Sequence, residues 1–211
     1  MPEPLLGTAE PGGVPGAARE AVPEEAPRRR LTGRQAATVG SLVEAAVAEL
    51  REHGYDGLTV RNVARRAGVA PATAYTYFGS KDHLVTEVFW RRLRALPDPA
   101  PGPGDSLAAR AVAALRDVVL LVADEPALAR ACTAAMLTSE PDVRHLRERI
   151  GGWIHRRLAH ALGPAAAPGV LGALELAYTG AMVQAGMGHL TYERMADRLT
   201  EAAELICGGT A

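Results

Sequence analysis

Six histidines and two cysteines are the side chains best suited to hold a metal or act as nucleophiles, and their spacing argues against both uses. Among His53, His83, His145, His155, His160 and His189, no two lie four apart with a glutamate between, as a helical zinc site requires. His155 and His160 are five apart and leave a helix from different faces. Cys132 and Cys207 have neither metal nor redox spacing, which fits a reducing compartment. No glycine-rich phosphate loop follows a strand, and no nucleophile elbow is present. The expectation is a protein with no metal, no cofactor and no catalytic residues. Its distinctive chemistry lies in its charge. Residues 28–95 hold twelve basic and six acidic side chains, whereas residues 96–211 hold ten and thirteen. A basic block beside an acidic one is the footprint of a chain whose one part meets a polyanion. Arg28, Arg29 and Arg30 head that block, as an arm able to reach phosphates or a minor groove.

The elements that position these charges are helical. Hydrophobic residues make up 48% of the chain and aromatics only 4%, with alanine prominent, which favours an all-α fold. Residues 1–33 are a Pro/Gly/Ala-rich tail with a basic end and no apolar periodicity, expected to be disordered. Helix 1 is expected over residues 34–53, on a stripe of Val39, Leu42, Val43, Ala46, Val47 and Leu50. Gly54 suits the left-handed residue that ends it. Thr59 is a good N-cap for a short second helix. Gly68 allows a positive φ at the turn, and Pro71 suits the first position of a third helix ending near Tyr77. Small Ala64 sits where helices 2 and 3 must cross closely. Helix, glycine turn and short helix in this order leave the outer face of the third helix free for a major groove.

These residues resemble the signature of TetR-type bacterial repressors. The matching series is Gly54-Tyr55, Thr59-Val-Arg-Asn-Val-Ala64, Ala67-Gly-Val69, Ala72-Thr-Ala-Tyr75-Thr-Tyr-Phe78 and Ser80-Lys81, dense over residues 35–90. The resemblance implies a DNA-binding domain at residues 34–80 and an effector-binding and dimerisation domain at residues 81–211. It implies that Thr73 and Tyr77 hold the phosphate backbone and that Lys81 adds a point charge. Tyr75 then lies near the bases, and Pro71 and Ala72 lie near thymine methyls. Arg61 faces a phosphate or a base edge, and Thr59 and Thr76 complete the contact set. Ala70 departs from the usual capping residue, a loss of about 1 kcal/mol, and Thr76 replaces a residue that is often basic. Phe78, Val63, Ala67 and Val69 read as core, one of Tyr75 and Tyr77 as partly core, and Arg65 and Arg66 as solvated charges.

The C-terminal half reads as six further helices, about nine in all, after the breaker at residues 97–104. They are expected over residues 80–96, 106–122, 126–136, 141–162, 170–189 and 192–207. A symmetric dimer is needed to present two recognition helices one DNA turn apart. Helix 9 offers a seam of Tyr192, Met195, Leu199 and Ile206. Helix 8 has a bulky face (Leu171, Leu174, Tyr178, Met182) and a small one (Ala177, Ala181, Gln184), and either can take the core or the partner subunit. The resemblance pairs helices 8 and 9 with their copies as a four-helix bundle. Phe89, Trp90, Cys132, Met136, Trp153, Tyr178 and Met182 are candidates to line a largely apolar effector cavity, with His155, Tyr178 or Gln184 as polar anchors. No apolar run reaches the ~18 residues of a membrane span, so a cytoplasmic setting is expected. The resulting expectation is a homodimeric regulator of double-stranded DNA, a repressor released from a palindromic operator by a small apolar effector. An activator, or a ligand-sequestering helical protein, is the alternative.

Overall fold

The computed structural model describes residues 33–100, 102–167 and 169–208. The disorder expected of the N-terminal tail, and the Arg28–Arg30 arm, lie outside the described residues. Within them the chain forms nine α-helices, one 3-10 turn and no strand. In order, these are α1 (Gly33–Gly57), α2 (Val60–Arg66), α3 (Pro71–Tyr77), α4 (Lys81–Arg94), α5 (Leu107–Leu120), α6 (Pro126–Met136), α7 (Pro141–Leu162), α8 (Val170–Gly186) and α9 (Tyr192–Gly208). The regular part of α1 stops at Gly54 (φ 66°), and one further turn follows the kink.

Serine and threonine hydroxyls set three helix starts. Thr59, Ser80 and Ser106 accept from the backbone N–H groups of Asn62, His83 and Ala109 at 3.1, 3.0 and 3.1 Å. Each satisfies one donor left without an intrahelical partner. At the turn between α2 and α3, Gly68 adopts φ 65°, and the Val69 N–H returns to the Ala64 carbonyl at 2.9 Å. Helix α8 ends a turn earlier than its apolar pattern suggests. Gly188 takes a positive φ, and the N–H groups of Gly188 and His189 close onto the Ala185 and Gln184 carbonyls, a cap that satisfies the last turn.

One continuous hydrophobic core runs from α1 to α9. Helix α4 carries it across the length of the chain. Leu84, Val85, Val88, Phe89 and Leu93 are all buried, and α4 packs against α1, α6 and α7. Burying such side chains is worth about 1.5–3 kcal/mol each. Helix α5 packs on α9 and α7 at the other end. One buried cation ties the proline-rich α4–α5 loop to this layer. Arg157, 5% exposed, donates to the Pro97 carbonyl, to the Ala114 carbonyl at 2.8 Å and to Asp117 at 2.9 Å. Arg157 follows Ile150 by seven residues and Ile154 by three, on the buried stripe of α7, and that spacing is the sequence signal for its inward turn.

Candidate functional site

Two small residues let α3 cross α2. Ala64 and Ala74 are both fully buried, and Val63 and Phe78 close the core beneath them. Ala67 and Val69, expected in that core, are half-buried and pack against its edge. Because α3 turns Ala74 and Phe78 inward, the helical period turns Ala72, Thr73, Tyr75 and Thr76 outward together, and all four are exposed, as is Pro71 at the open start of the helix. Tyr75 is 50% exposed, whereas Tyr77 is the half-buried one of the pair. The Thr76 hydroxyl donates back to the Ala72 carbonyl at 3.0 Å. Thr59 and Arg61, at the start of α2, are exposed as well.

The cations near this face differ in how free they are. The Lys81 ammonium donates to the Tyr55 carbonyl at 3.0 Å and lies 4.1 Å above the Tyr55 ring, so it is tethered against α1. The Tyr55 hydroxyl in turn donates to the Asp82 carboxylate. Burial, with that carboxylate beside it, pushes the phenol well above its ordinary range. Arg66, expected to be a solvated charge, is exposed but ion-paired with two glutamates of α1. Its Nε lies 2.6 Å from Glu49, which is only 3% exposed, and its Nη1 lies 2.9 Å from Glu52. The Glu52 carboxyl is held below its usual range by its hydrogen bond to Arg66. Arg61 and Arg65 remain exposed without an ion pair among the described residues.

An apolar cavity of about 190 Å³ lies between α4, α6, α7 and α8. Of the residues expected to line it, Phe89, Met136, Tyr178 and Met182 do so, joined by Thr133, Leu137, Arg147, Ile150, Ile154 and Thr179. Trp90, Cys132 and Trp153 do not. Trp90 is one residue, about a quarter turn, round α4 from Phe89, and its ring faces the guanidinium groups of Arg149 at 4.9 Å and Arg94 at 5.7 Å. Cys132 is buried a turn deeper in α6, and burial pushes its thiol up to about 12. Trp153 is turned about 60° from Ile150 and about 100° from Ile154 round α7. It lines an open polar cleft of about 320 Å³ with Asp98, Arg156, Arg157 and His160. His155 is exposed and 2.8 Å from Glu175, and Gln184 faces away from the cavity.

The C-terminal helices correct part of the expected dimer surface. Tyr192, Met195 and Leu199 are 8%, 0% and 5% exposed within the single chain, and Ile206 is half-buried on the same core. This face of α9 is covered within its own chain, where α9 packs on α5 and α8, and Leu199 also borders the open groove along α8. The structure also separates the two faces of α8. Leu174, Tyr178 and Met182 turn inward, while Ala177, Gly180, Ala181 and Gln184 border an open groove of about 480 Å³ shared with Leu176, Arg198 and Ala202. Beside this groove Leu176 and Leu205 stand 77% and 78% exposed. Sequence reasoning missed both, because neither falls on the stripe that packs the core.

Residues 42–88 match the family model for bacterial regulatory proteins of the tetR family. The chain is 50% identical over 178 residues to an uncharacterized HTH-type transcriptional regulator of Mycobacterium tuberculosis, with 83% of each chain covered. It is 27% identical over 122 residues to the HTH-type transcriptional repressor KstR of Rhodococcus jostii, covering 57% of this chain and 58% of that one. The crystal structure of a TetR transcriptional regulator from Rhodococcus sp. RHA1 superimposes with a TM-score of 0.68 at 22% identity. It covers 85% of this chain and 100% of that one.

Proposed function

The chain belongs to the TetR family of helix-turn-helix transcriptional regulators, and on that premise we propose that it is a homodimeric repressor released from a palindromic operator by a small apolar effector. The observation that carries the DNA half is the outward face of α3, where a 50%-exposed Tyr75 stands among Pro71, Ala72, Thr73 and Thr76 with no packing role. Tyr75 reads base edges, with Pro71 and Ala72 against thymine methyls. Thr73, Thr76 and Tyr77 hold the phosphate backbone, with Thr59 and Arg61 at the start of α2. Lys81 acts from its tethered place beside Tyr55, as a fixed charge. The relative KstR bears the name of a repressor, which supports the sign of regulation.

Two copies associate through the outward face of α8. Ala177, Ala181 and Gln184 let a second α8 approach closely, and Leu176 and Leu205 supply the apolar area. The effector occupies the cavity beside Phe89, Met136, Tyr178 and Met182. At about 190 Å³ this space suits a ligand smaller than the several hundred Å³ of a drug-sized site. Among the described residues no helix is long and apolar enough to cross a membrane, and the regulator works in the cytoplasm.

Release is a population shift. A ligand favouring a tilted α4 separates the recognition helices beyond one DNA turn. Driving the competent state from 99:1 to 1:99 takes about 5.5 kcal/mol of differential binding. An apolar ligand burying ~200 Å² more in one state supplies that order at ~25 cal/mol per Å². The test is selection of bound fragments from genomic DNA, then titration of the selected fragment with wild type and Arg61→Ala. Loss of one phosphate contact from each protomer, two in the dimer, should flatten the dependence of log affinity on log salt by about 2. Absence of any preferred fragment for wild type at moderate salt defeats the proposal. Thermal-shift screening with lipophilic compounds tests the effector class, and stabilisation by polar ligands alone rules out an apolar effector.

A further inference from the structure

The effector cavity and the end of the recognition helix are joined by one short piece of chain. Helix α6 ends at Met136 and α7 begins at Pro141, and the connection between them forms part of the cavity wall through Met136 and Leu137. Arg147, which also lines the cavity, holds this corner. Its Nη1 donates to the Met136 carbonyl at 2.5 Å and to the Thr138 carbonyl at 3.2 Å. The far side of the same corner grips the DNA-binding unit. Glu140 accepts from the Ser80 hydroxyl, and Asp142 lies 3.6 Å from Nδ1 of His83, whose ring packs edge-on against Phe78. Ser80 is also the N-cap of α4 and stands three residues beyond the last residue of α3. The other end of α6 is anchored. Glu125 takes Arg92 of α4 at 2.6 Å and Arg51 of α1 at 2.9 Å.

We propose that Arg147 is the residue that senses occupancy of the cavity, and that residues 136–142 are a strap transmitting its displacement through Glu140 and Asp142 to Ser80 and His83. The inference rests on the reading of this cavity as the effector site and adds the route out of it. With Glu125 as a fixed pivot, a ligand pressing on Leu137 or drawing Arg147 off its two carbonyls moves the free end of α6. That end carries the acids that hold the start of α4 and, three residues away, the end of α3. Arg147 is a positioning residue. Its hydrogen bonds within the chain go to the strap, which makes the strap its hydrogen-bonded route to α3, beside the packing of α7 on α4.

Hydrogen exchange of the full chain, without DNA or effector, tests this separately from the operator and ligand experiments. In Arg147→Met, amides at residues 72–84 should exchange about tenfold faster than in wild type, while those at residues 192–206 stay within about twofold. Arg147→Lys, which keeps a donor, should restore most of the protection. The pair Glu140→Ala with Asp142→Ala, which removes both acceptors, should give the same acceleration, and adding Arg147→Met to it should change residues 72–84 by no more than about twofold, because the strap is already cut. Glu87→Gln, which removes an ion pair with Arg91 elsewhere on α4, is the control and should be silent at residues 72–84. Wild-type exchange in both Arg147→Met and the Glu140→Ala/Asp142→Ala pair overturns the proposal, as does a full multiplicative effect when they are combined. Should Arg147→Met lose its cooperative unfolding transition, Arg147→Gln, whose shorter uncharged arm cannot span both carbonyls, decides in the wild-type and double-variant backgrounds by the same non-additivity.

Discussion

The recognition helix begins with an unfilled cap, and filling it should be measurable. Helix α3 has seven residues and opens on Pro71, which has no N–H. The Ala74 N–H reaches the Ala70 carbonyl at 3.1 Å, which leaves the donors of Ala72 and Thr73 in the first turn. Ala70 is exposed, with φ −59° and ψ 135°, and offers no side-chain acceptor. A serine there has room and extended backbone geometry, so its hydroxyl can take the Thr73 donor. The gain for a serine over alanine at an N-cap is about 1 kcal/mol per protomer. For a chain of this length that raises the melting temperature by about 2–4 °C. Thr59→Ala brackets the same quantity from the other side, since Thr59 already accepts from Asn62 at 3.1 Å and its loss should cost about 1 kcal/mol. Urea denaturation of both variants, with unchanged slope, should give shifts of opposite sign and similar size. If Ala70→Ser is no more stable than wild type while Thr59→Ala is destabilised, the first turn of α3 is not short of an acceptor and the argument fails.

Three other outcomes follow from the packing. Helix α6 crosses α8 so closely at Gly186 that a Cβ there would overlap the Thr133 side chain; Gly186→Ala should cost about 1–3 kcal/mol by overpacking, and Thr133→Gly should recover more than additivity allows in a urea double-mutant cycle. Burial opposes ionisation of Glu125, but Arg92, with Arg51 beside it, outweighs that and holds the carboxyl below its usual range. Such a group adds stability above the unfolded glutamate value near 4.3 and loses it as pH falls through the lower folded value. The advantage of wild type over Glu125→Gln should therefore be full at neutral pH and fade in acid, and a constant difference down to pH ~2 would contradict the ion-pair account. Leu176→Glu places a charge on the proposed α8 contact and should turn the dimer into a folded monomer by light scattering, whereas an unchanged mass moves the interface elsewhere.

The surface beside α8 also shows why alternating spacing misleads. Tyr192, Met195 and Leu199 have the pattern of a seam between helices, and they are buried as one, but within the same chain, where α9 packs on α5 and α8. Periodicity names the face that must be covered and is silent on what covers it. For the cavity, Phe89, Met136, Tyr178 and Met182 were legible as large apolar groups on inward stripes, yet Trp90, Cys132 and Trp153 met the same criterion and point elsewhere. One residue along a helix turns a side chain by about 100°, and only the crossing angles of four helices select which stripe residues share a void.

The order of helices and the caps at Thr59, Ser80 and Ser106 were written in local chemistry, because a hydroxyl, a proline or a left-handed glycine acts within one turn of its own position. So was the outward set on α3, since Ala74 and Phe78 have only one direction to bury. The grip of Arg157 on the α4–α5 loop, the Glu125 junction and the hold of Glu140 and Asp142 on Ser80 and His83 join residues far apart in the chain. Long charged side chains look alike on a helical wheel. Their partners are chosen by where the core brings distant helix ends together, and that is decided only when the whole chain has packed.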